Sequence, residues 1–379
     1  MIGKVPNGWR VEKLENLCDV STGKKDANHG VENGQYLFFT CAAKPIKSNT
    51  YSFEGKSIIL AGNGANVGLA LYYDGKFEAY QRTYILNNFT ENSRYIFYNL
   101  KRYWIVHNES KQFGSATNYI KMDNITKYPI LIPPLQKQEK IVKVLDISSA
   151  LIEKQKELIA KYDLFLKSKF IEMFGDPIKN PMGWKIEKLD KFTTLVSSGS
   201  TPKGGQSSYL DEGEIRFIRS QNVRMNEMDY DGIYYISEEV YTKMKRSQVK
   251  FNDVLLNITG ASIGRTAIYK DTTRANVNQH VCIIRLTEQL NNEYLSFMIS
   301  TDSFQNQIIS NQSGATREAL NYTQIKKFNI PYPPILLQNK FASIVEKTEK
   351  IKEQEVKKLE HLEVLHNSLM DKAFKGKVS

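Results

Sequence analysis

Apolar positions along the chain switch between two periods, and the switch occurs twice at corresponding places. Short runs rich in β-branched and aromatic residues, such as Tyr36-Leu37-Phe38-Phe39-Thr40, Arg82-Thr83-Tyr84-Ile85-Leu86 and Val281-Cys282-Ile283-Ile284-Arg285-Leu286, are separated by Gly, Asn and Asp turns and predict strands. Helical patterns run from Ser93 to His107 and from Asn292 to Ile308. Each mixed stretch ends at a proline pair, Pro133-Pro134 or Pro333-Pro334, followed by a long segment without Gly or Pro. Two prolines end a strand and launch a helix.

In the first long segment Leu145, Ile152, Ile159, Leu166 and Met173 recur at seven, with Val144, Leu151, Leu158 and Phe165 in the adjoining row. A sustained heptad predicts a coiled-coil helix. The second segment carries Phe341, Ile344, Val345, Ile351, Val356, Leu359, Leu362, Leu365, Leu369 and Phe374 on one broad face. A helix of this length spans roughly 57 Å, too long to be covered by one small module. The stripe needs a partner, and the other helix is the economical one, antiparallel, with a module at each end. Packing is expected through Leu145, Leu151, Ile152, Leu158, Ile159, Phe165 and Leu166, opposed by Ile351, Leu359, Leu362 and Leu369.

The pattern is an internal repeat. Gly8-Trp9 to Leu14 recurs as Gly183-Trp184 to Leu189, and Ser21-Thr22-Gly23 as Ser197-Ser198-Gly199. Ile58-Ile59-Leu60 leading to Gly64 and Gly68 matches Val254-Leu255-Leu256 leading to Gly260 and Gly264. From Gly114 the register holds at 200 residues, placing Ile125, Lys127, Pro133-Pro134 and Gln138 on Ile325, Lys327, Pro333-Pro334 and Gln338. The predicted fold class is α+β: two tandem mixed α/β modules (1–135 and 175–335), separated by two long helices (136–174 and 336–379) packed as an antiparallel coiled coil with a pseudo-twofold internal repeat.

At 379 residues the chain suits two or three domains, and its 41% hydrophobic and 25% charged content is ordinary for folded protein. The N-terminus lacks a signal-like pattern and no apolar run approaches the roughly 20 residues of a membrane span, so a cytoplasmic location is expected. Cys18, Cys41 and Cys282 form no Cys-x-x-Cys pair and read as reduced thiols. The net charge of +11 suits a polyanion partner, with the largest share of the excess in the first module and no basic tail, so any such contact is made by folded surfaces.

Catalytic motifs are missing. Neither proline pair is preceded by the Asn or Asp of an amino-methyltransferase motif; Gly62-Asn63-Gly64 lacks the third glycine of a nucleotide-binding turn, and Gly55-Lys56-Ser57 has Thr50 where a phosphate loop needs glycine. The five histidines show no metal spacing; His361 and His366, five apart, do not share a helix face. A non-catalytic repeat scaffold and a single-chain DNA-modifying enzyme are the alternatives to a DNA reader.

Two similar but non-identical modules held a fixed distance apart suit a split, asymmetric DNA target. The stretch from Gly314-Ala315-Thr316-Arg317 through Tyr332-Pro333-Pro334 resembles the signature that closes a target-recognition domain in specificity subunits of type I restriction-modification systems. The Gly-Trp openings and Ser198-Gly199-Ser200-Thr201-Pro202 are similar to further elements of that family, in family order over essentially the whole chain. The first copy departs from it with Gly114-Ser115-Ala116-Thr117-Asn118-Tyr119, lacking the Thr-Arg pair. The resemblance implies two target-recognition domains, a non-catalytic role, docking of two DNA-adenine methyltransferase subunits through the helices, and recruitment of motor-nuclease subunits. The chain itself would need no cofactor; its partners would use S-adenosylmethionine, ATP and Mg2+.

Base reading needs donor and acceptor side chains on loops that reach a groove. In the first module the candidates are Lys24, Lys25, Asn28, His29, Asn63, Asn66, Tyr80, Gln81 and Arg82. In the second they are Lys203, Ser220, Gln221, Asn222, Arg224, Thr259, Ser262, Arg265, Asn276, Asn278, Gln279, Thr316 and Arg317. Asn63 and Asn66 are also what a tight turn requires.

Overall fold

Both long helices form, Leu135–Phe174 and Ile335–Phe374, each of 40 residues. The computed structural model describes residues 5–109, 113, 118–310 and 319–377. The chain divides into two compact units, 1–157 with 356–379, and 158–355. That division cuts the long helices, so each unit contains one module and a part of each helix.

In unit 1 the main sheet is antiparallel, in the order Asp19–Thr22, Thr83–Asn87, Lys56–Ala61, Ala70–Asp74. A second sheet joins Ile46–Ser48, Tyr36–Phe39 and Phe77–Ala79, the last two in parallel. Ile58 and Leu60 face the helix Ser93–Glu109 and its Tyr95, Ile96, Leu100 and Trp104, whereas Ile59 and Ile85 face Phe39 and Phe77 of the second sheet. With both faces buried, the strand reads as a continuous apolar run instead of alternating.

Unit 2 repeats this topology. Its main sheet runs Thr193–Ser198, Val281–Leu286, Val254–Asn257, Thr266–Ile268, and Arg216–Ile218 pairs in parallel with Ala275–Val277 as the corresponding strands do in unit 1. One predicted element differs. The helical pattern from Asn292 to Ile308 is divided into Asn292–Ile299 and Asp302–Ser310. The hydroxyls of Ser300 and Thr301 donate to the carbonyls of Phe297 and Met298 at the break, local bonds that compete with the helical ladder.

The register-marking glutamines have a structural reason. Gln138 and Gln338 are fully buried at the helix starts. Gln138 donates to the Pro133 carbonyl at 2.9 Å and accepts from the Asn92 backbone N–H at 3.0 Å, and Gln338 makes the same two bonds with Pro333 (2.8 Å) and Asn291 (2.9 Å). Each ties the proline turn to the module helix beside it. Gln338→Ala leaves one buried donor and one buried acceptor unpaired and is expected to lower stability by about 2–4 kcal/mol, read from the urea midpoint.

Within each unit the two helix segments run antiparallel. In unit 1 Ser148 meets His366 at 2.7 Å and Lys156 meets Glu363 at 3.1 Å. In unit 2 Asp163 meets Lys352 at 2.7 Å, and the Phe170 and Phe341 ring centroids are 5.4 Å apart. Leu145, Ile152 and Leu166 are buried, with Ile159, Leu359, Leu362 and Leu369 half-buried. The adjoining row corrects the sequence expectation: Leu151 (48% exposed), Leu158 (38%), Phe165 (48%) and Ile351 (44%) stand outside the seam. A two-helix pair buries one row of a double heptad stripe; a second row needs another partner.

His366 sits in this seam at 6% exposure. The Ser148 hydroxyl donates to the Leu145 carbonyl at 3.0 Å and lies 2.7 Å from His366 Nδ1, and among the described residues the buried Nε2 has no hydrogen-bond partner. Burial and the nearby Lys101 ammonium hold the imidazole below its ordinary value of 6.5. The unfolded chain therefore takes up the proton first as pH falls through 6.5, and stability declines below that point by up to about 1.4 kcal/mol per pH unit. His366→Leu should remove this part of the slope in denaturation series between pH 8 and 5.5; an unchanged slope assigns it elsewhere.

Candidate nucleic-acid interface

At one end of the unit 1 sheets five segments are bonded to one another. The strand Asp19–Thr22 leaves through Gly23, whose N–H donates to the Thr83 carbonyl at 3.1 Å. A Cβ at Gly23 would overlap the Ala79 carbonyl oxygen, so only glycine passes there. Lys25 and Gln81 then pair through their backbones (Lys25 N–H to Ala79, 3.3 Å; Gln81 N–H to Lys25, 2.9 Å), and the Gln81 amide donates to Asp26 at 3.1 Å. The Asn66 amide donates to the Cys41 carbonyl at 2.9 Å, and Gly62 N–H donates to the Arg82 carbonyl at 3.1 Å. The segment 118–120 closes the group, with Ile120 N–H on the Gly62 carbonyl at 3.0 Å.

Lys24, Asn28, Asn66, Gln81 and Arg82 are exposed on these loops, and Lys25, Asn63 and Tyr80 are half-exposed. Among the described residues none of Lys24, Lys25 and Arg82 forms an ion pair, which leaves a basic surface open to phosphate. His29 is half-exposed and turns toward the second sheet, between Ser48 (3.2 Å) and Thr50 (3.1 Å) and edge-on to Phe38.

Unit 2 builds the same cluster. Gly199 N–H points to the Asn278 (3.2 Å) and Val281 carbonyls, and a Cβ there would overlap the Val277 carbonyl oxygen. Thr201 donates to the Gln279 side chain, Thr259 and His280 Nδ1 are 2.6 Å apart, and Leu320 N–H donates to the Ile258 carbonyl at 2.9 Å. Lys203, Gln221 and Gln279 are exposed, and Ser220, Thr259, Ser262 and Arg265 are half-exposed.

Several second-module candidates face inward. Asn222 accepts from the Arg219 N–H (3.0 Å) and donates to the Asp229 carbonyl (2.9 Å); Asn276 donates to the Met244 carbonyl (2.9 Å) and the Ser247 hydroxyl (2.7 Å); both are fully buried. Asn278, also buried, accepts from the His280 N–H at 3.1 Å. Arg224, by contrast, stays exposed, paired with Asp229 at 3.0 Å. The three asparagines hold the turns that carry their neighbours, because Asn satisfies local backbone groups as readily as a base edge. Thr316 and Arg317 lie outside the described residues.

Sequence reasoning missed Phe113, Tyr119 and Lys121, which join the unit 1 cluster through a bridge between Asn63 and Tyr119. Their spacing carries no signal; only the pairing brings them to the loop end. Burial raises the Cys18 and Cys282 thiols to about 12, leaving them in the thiol form. Among the described residues no three His, Cys, Asp or Glu side chains are grouped to hold a metal, and no helix is long and apolar enough to cross a membrane.

A model of the family described as "Type I restriction modification DNA specificity domain" matches residues 6–161 and 181–363. The chain is 23% identical to the type I restriction enzyme EcoDI specificity subunit of Escherichia coli, over 100% of this chain and 90% of the relative. The fold is shared with the solved S subunit of a type I restriction-modification system from M. genitalium (16% identity, 98% of both chains, TM-score 0.56). It is also shared with a chain solved in work on complex assembly and conformational transition of a type I system (17% identity, 100% of both chains, TM-score 0.57).

Proposed function

Since the chain belongs to the type I restriction-modification DNA specificity family, we propose that its two loop clusters each read one half of a bipartite, asymmetric DNA target. The observation that carries this is the duplication: the same glycine-gated loop end is built twice, in tandem, with different side chains exposed on each copy. Different side chains on one scaffold suit two different half-sites. The two helices running through both units set the spacer.

Docking of two methyltransferase subunits is supported by the exposed apolar row. Val144, Leu151, Leu158 and Phe165 lie at heptad spacing on the central helix, with Ile351 and Leu365 exposed on the C-terminal helix. Such rows on helices mark a protein-binding face. Recognition belongs to this chain; methyl transfer, and cleavage by motor-nuclease subunits, belong to partners that would bring S-adenosylmethionine, ATP and Mg2+.

Methylome sequencing of a host carrying the whole system tests the reading, with a two-part methylated motif of unlike halves as the expected result. A single continuous motif overturns the bipartite assignment. A gel-shift salt series with the methyltransferase present should show binding that weakens steeply with salt; salt-independent or absent binding leaves the scaffold reading.

A further inference from the structure

We infer that Phe113 and Tyr119 form an aromatic contact for a thymine methyl group in the half-site read by unit 1, an inference that rests on the DNA-reading role proposed above. The two residues bond each other through both backbone pairs at 2.9 Å, and their rings lie side by side with centroids 5.6 Å apart and planes 30° from parallel. Both rings face solvent, at 41% and 39% exposure.

The pair is anchored to the loop end through Tyr119. Tyr119 bridges Asn63, Gly64 N–H donates to the Asn118 carbonyl at 2.9 Å, and Ile120, 3% exposed, anchors the segment in the core while its carbonyl accepts from the Tyr84 hydroxyl at 3.0 Å. Gly62 links the segment directly to Arg82, so the rings share the basic loop end. Lys121 Nζ stands 4.4 Å from the Phe113 ring centre, placing a cation beside an apolar surface.

The geometry selects the ligand group. A base held between two rings needs about 7 Å, twice the ordinary carbon contact distance, so these rings cannot sandwich one. They present an apolar surface instead. Among the groups that base pairs display in the major groove, the thymine C5 methyl is the apolar one. In unit 2 the equivalent position is Ala319, bridged to Thr259, and Asn321 stands where unit 1 has Lys121. The contact therefore belongs to one half-site.

The test replaces each thymine of the methylome-defined target in turn by deoxyuridine, which removes only the methyl, and measures duplex binding by the methyltransferase-bound chain. With the unaltered protein one position should lose about fourfold in affinity. The double variant Phe113→Ala, Tyr119→Ala should bind the thymine duplex about tenfold more weakly and be indifferent to deoxyuridine at that same position. Unchanged affinity of the unaltered protein for every substituted duplex overturns the inference, as do independent, additive losses. A loss in the double variant when the unaltered protein shows no deoxyuridine dependence identifies a base-step wedge and also overturns it. Should the double variant fail to fold, the deoxyuridine series with the unaltered protein decides alone. Failure of the unaltered protein to prefer the target over random duplex would instead remove the DNA-reading role itself.

Discussion

Removing residues 155–161 together with the opposing 354–360 is expected to shorten the spacer by about three base pairs while leaving both half-sites unchanged. One heptad is about 10 Å of helix, and duplex DNA rises about 3.4 Å per base pair. The paired deletion keeps the heptad phase, so Ser148 with His366 on one side and Asp163 with Lys352 on the other stay in register, while the exposed Lys156–Glu363 pair is lost. Affinity for a duplex with the original spacing should fall by about 100-fold or more, because both half-sites can no longer be engaged together. Methylome sequencing of a host expressing the variant reads the new motif. Altered half-sites with an unaltered spacer would show that the helices are not the ruler.

Gly199→Val is expected to abolish reading of the half-site assigned to unit 2. The added side chain collides with the Val277 carbonyl, and relief must move either the strand Thr193–Ser198 or the turn that carries Gln279. Specific binding exceeds non-specific binding by about 10³–10⁷, and loss of one of two half-sites should remove about 100-fold or more of it. Competition gel shifts with each half-site scrambled in turn provide the readout. The variant should become insensitive to scrambling one half-site and remain sensitive to the other; equal sensitivity to both would separate the glycine from base reading. Gly23, against the Ala79 carbonyl, is the corresponding position in unit 1.

The two glycines illustrate what the sequence made legible. Ser21-Thr22-Gly23 and Ser197-Ser198-Gly199 stand out as a repeat, yet the reason for glycine is a neighbouring strand's carbonyl, supplied from about 55 to 80 residues away in the chain. The strands Tyr36–Phe39 and Val281–Leu286 were readable because buried β-branched and aromatic runs have few other conformations. The break in the helical pattern from Asn292 to Ile308 was not, since Ser300 and Thr301 are tolerated inside helices and break this one through bonds to specific carbonyls. Asn222, Asn276 and Asn278 misled for a similar reason. An amide side chain on a loop looks the same whether it meets a base or completes a turn, and burial decides which.

By itself the sequence determined the duplicated α+β organisation, the two long helices and the apolar rows along them, because periodicity and repeat spacing are local properties of the chain. Only the tertiary structure decided which heptad row is enclosed and which stays exposed, which loop residues face outward, and that Phe113, Tyr119 and Lys121 belong with a glycine turn some 50 residues earlier. These outcomes depend on strand pairing and on how many faces a neighbour can cover. Both are set by long-range packing, which leaves no periodic trace in the residues it brings together.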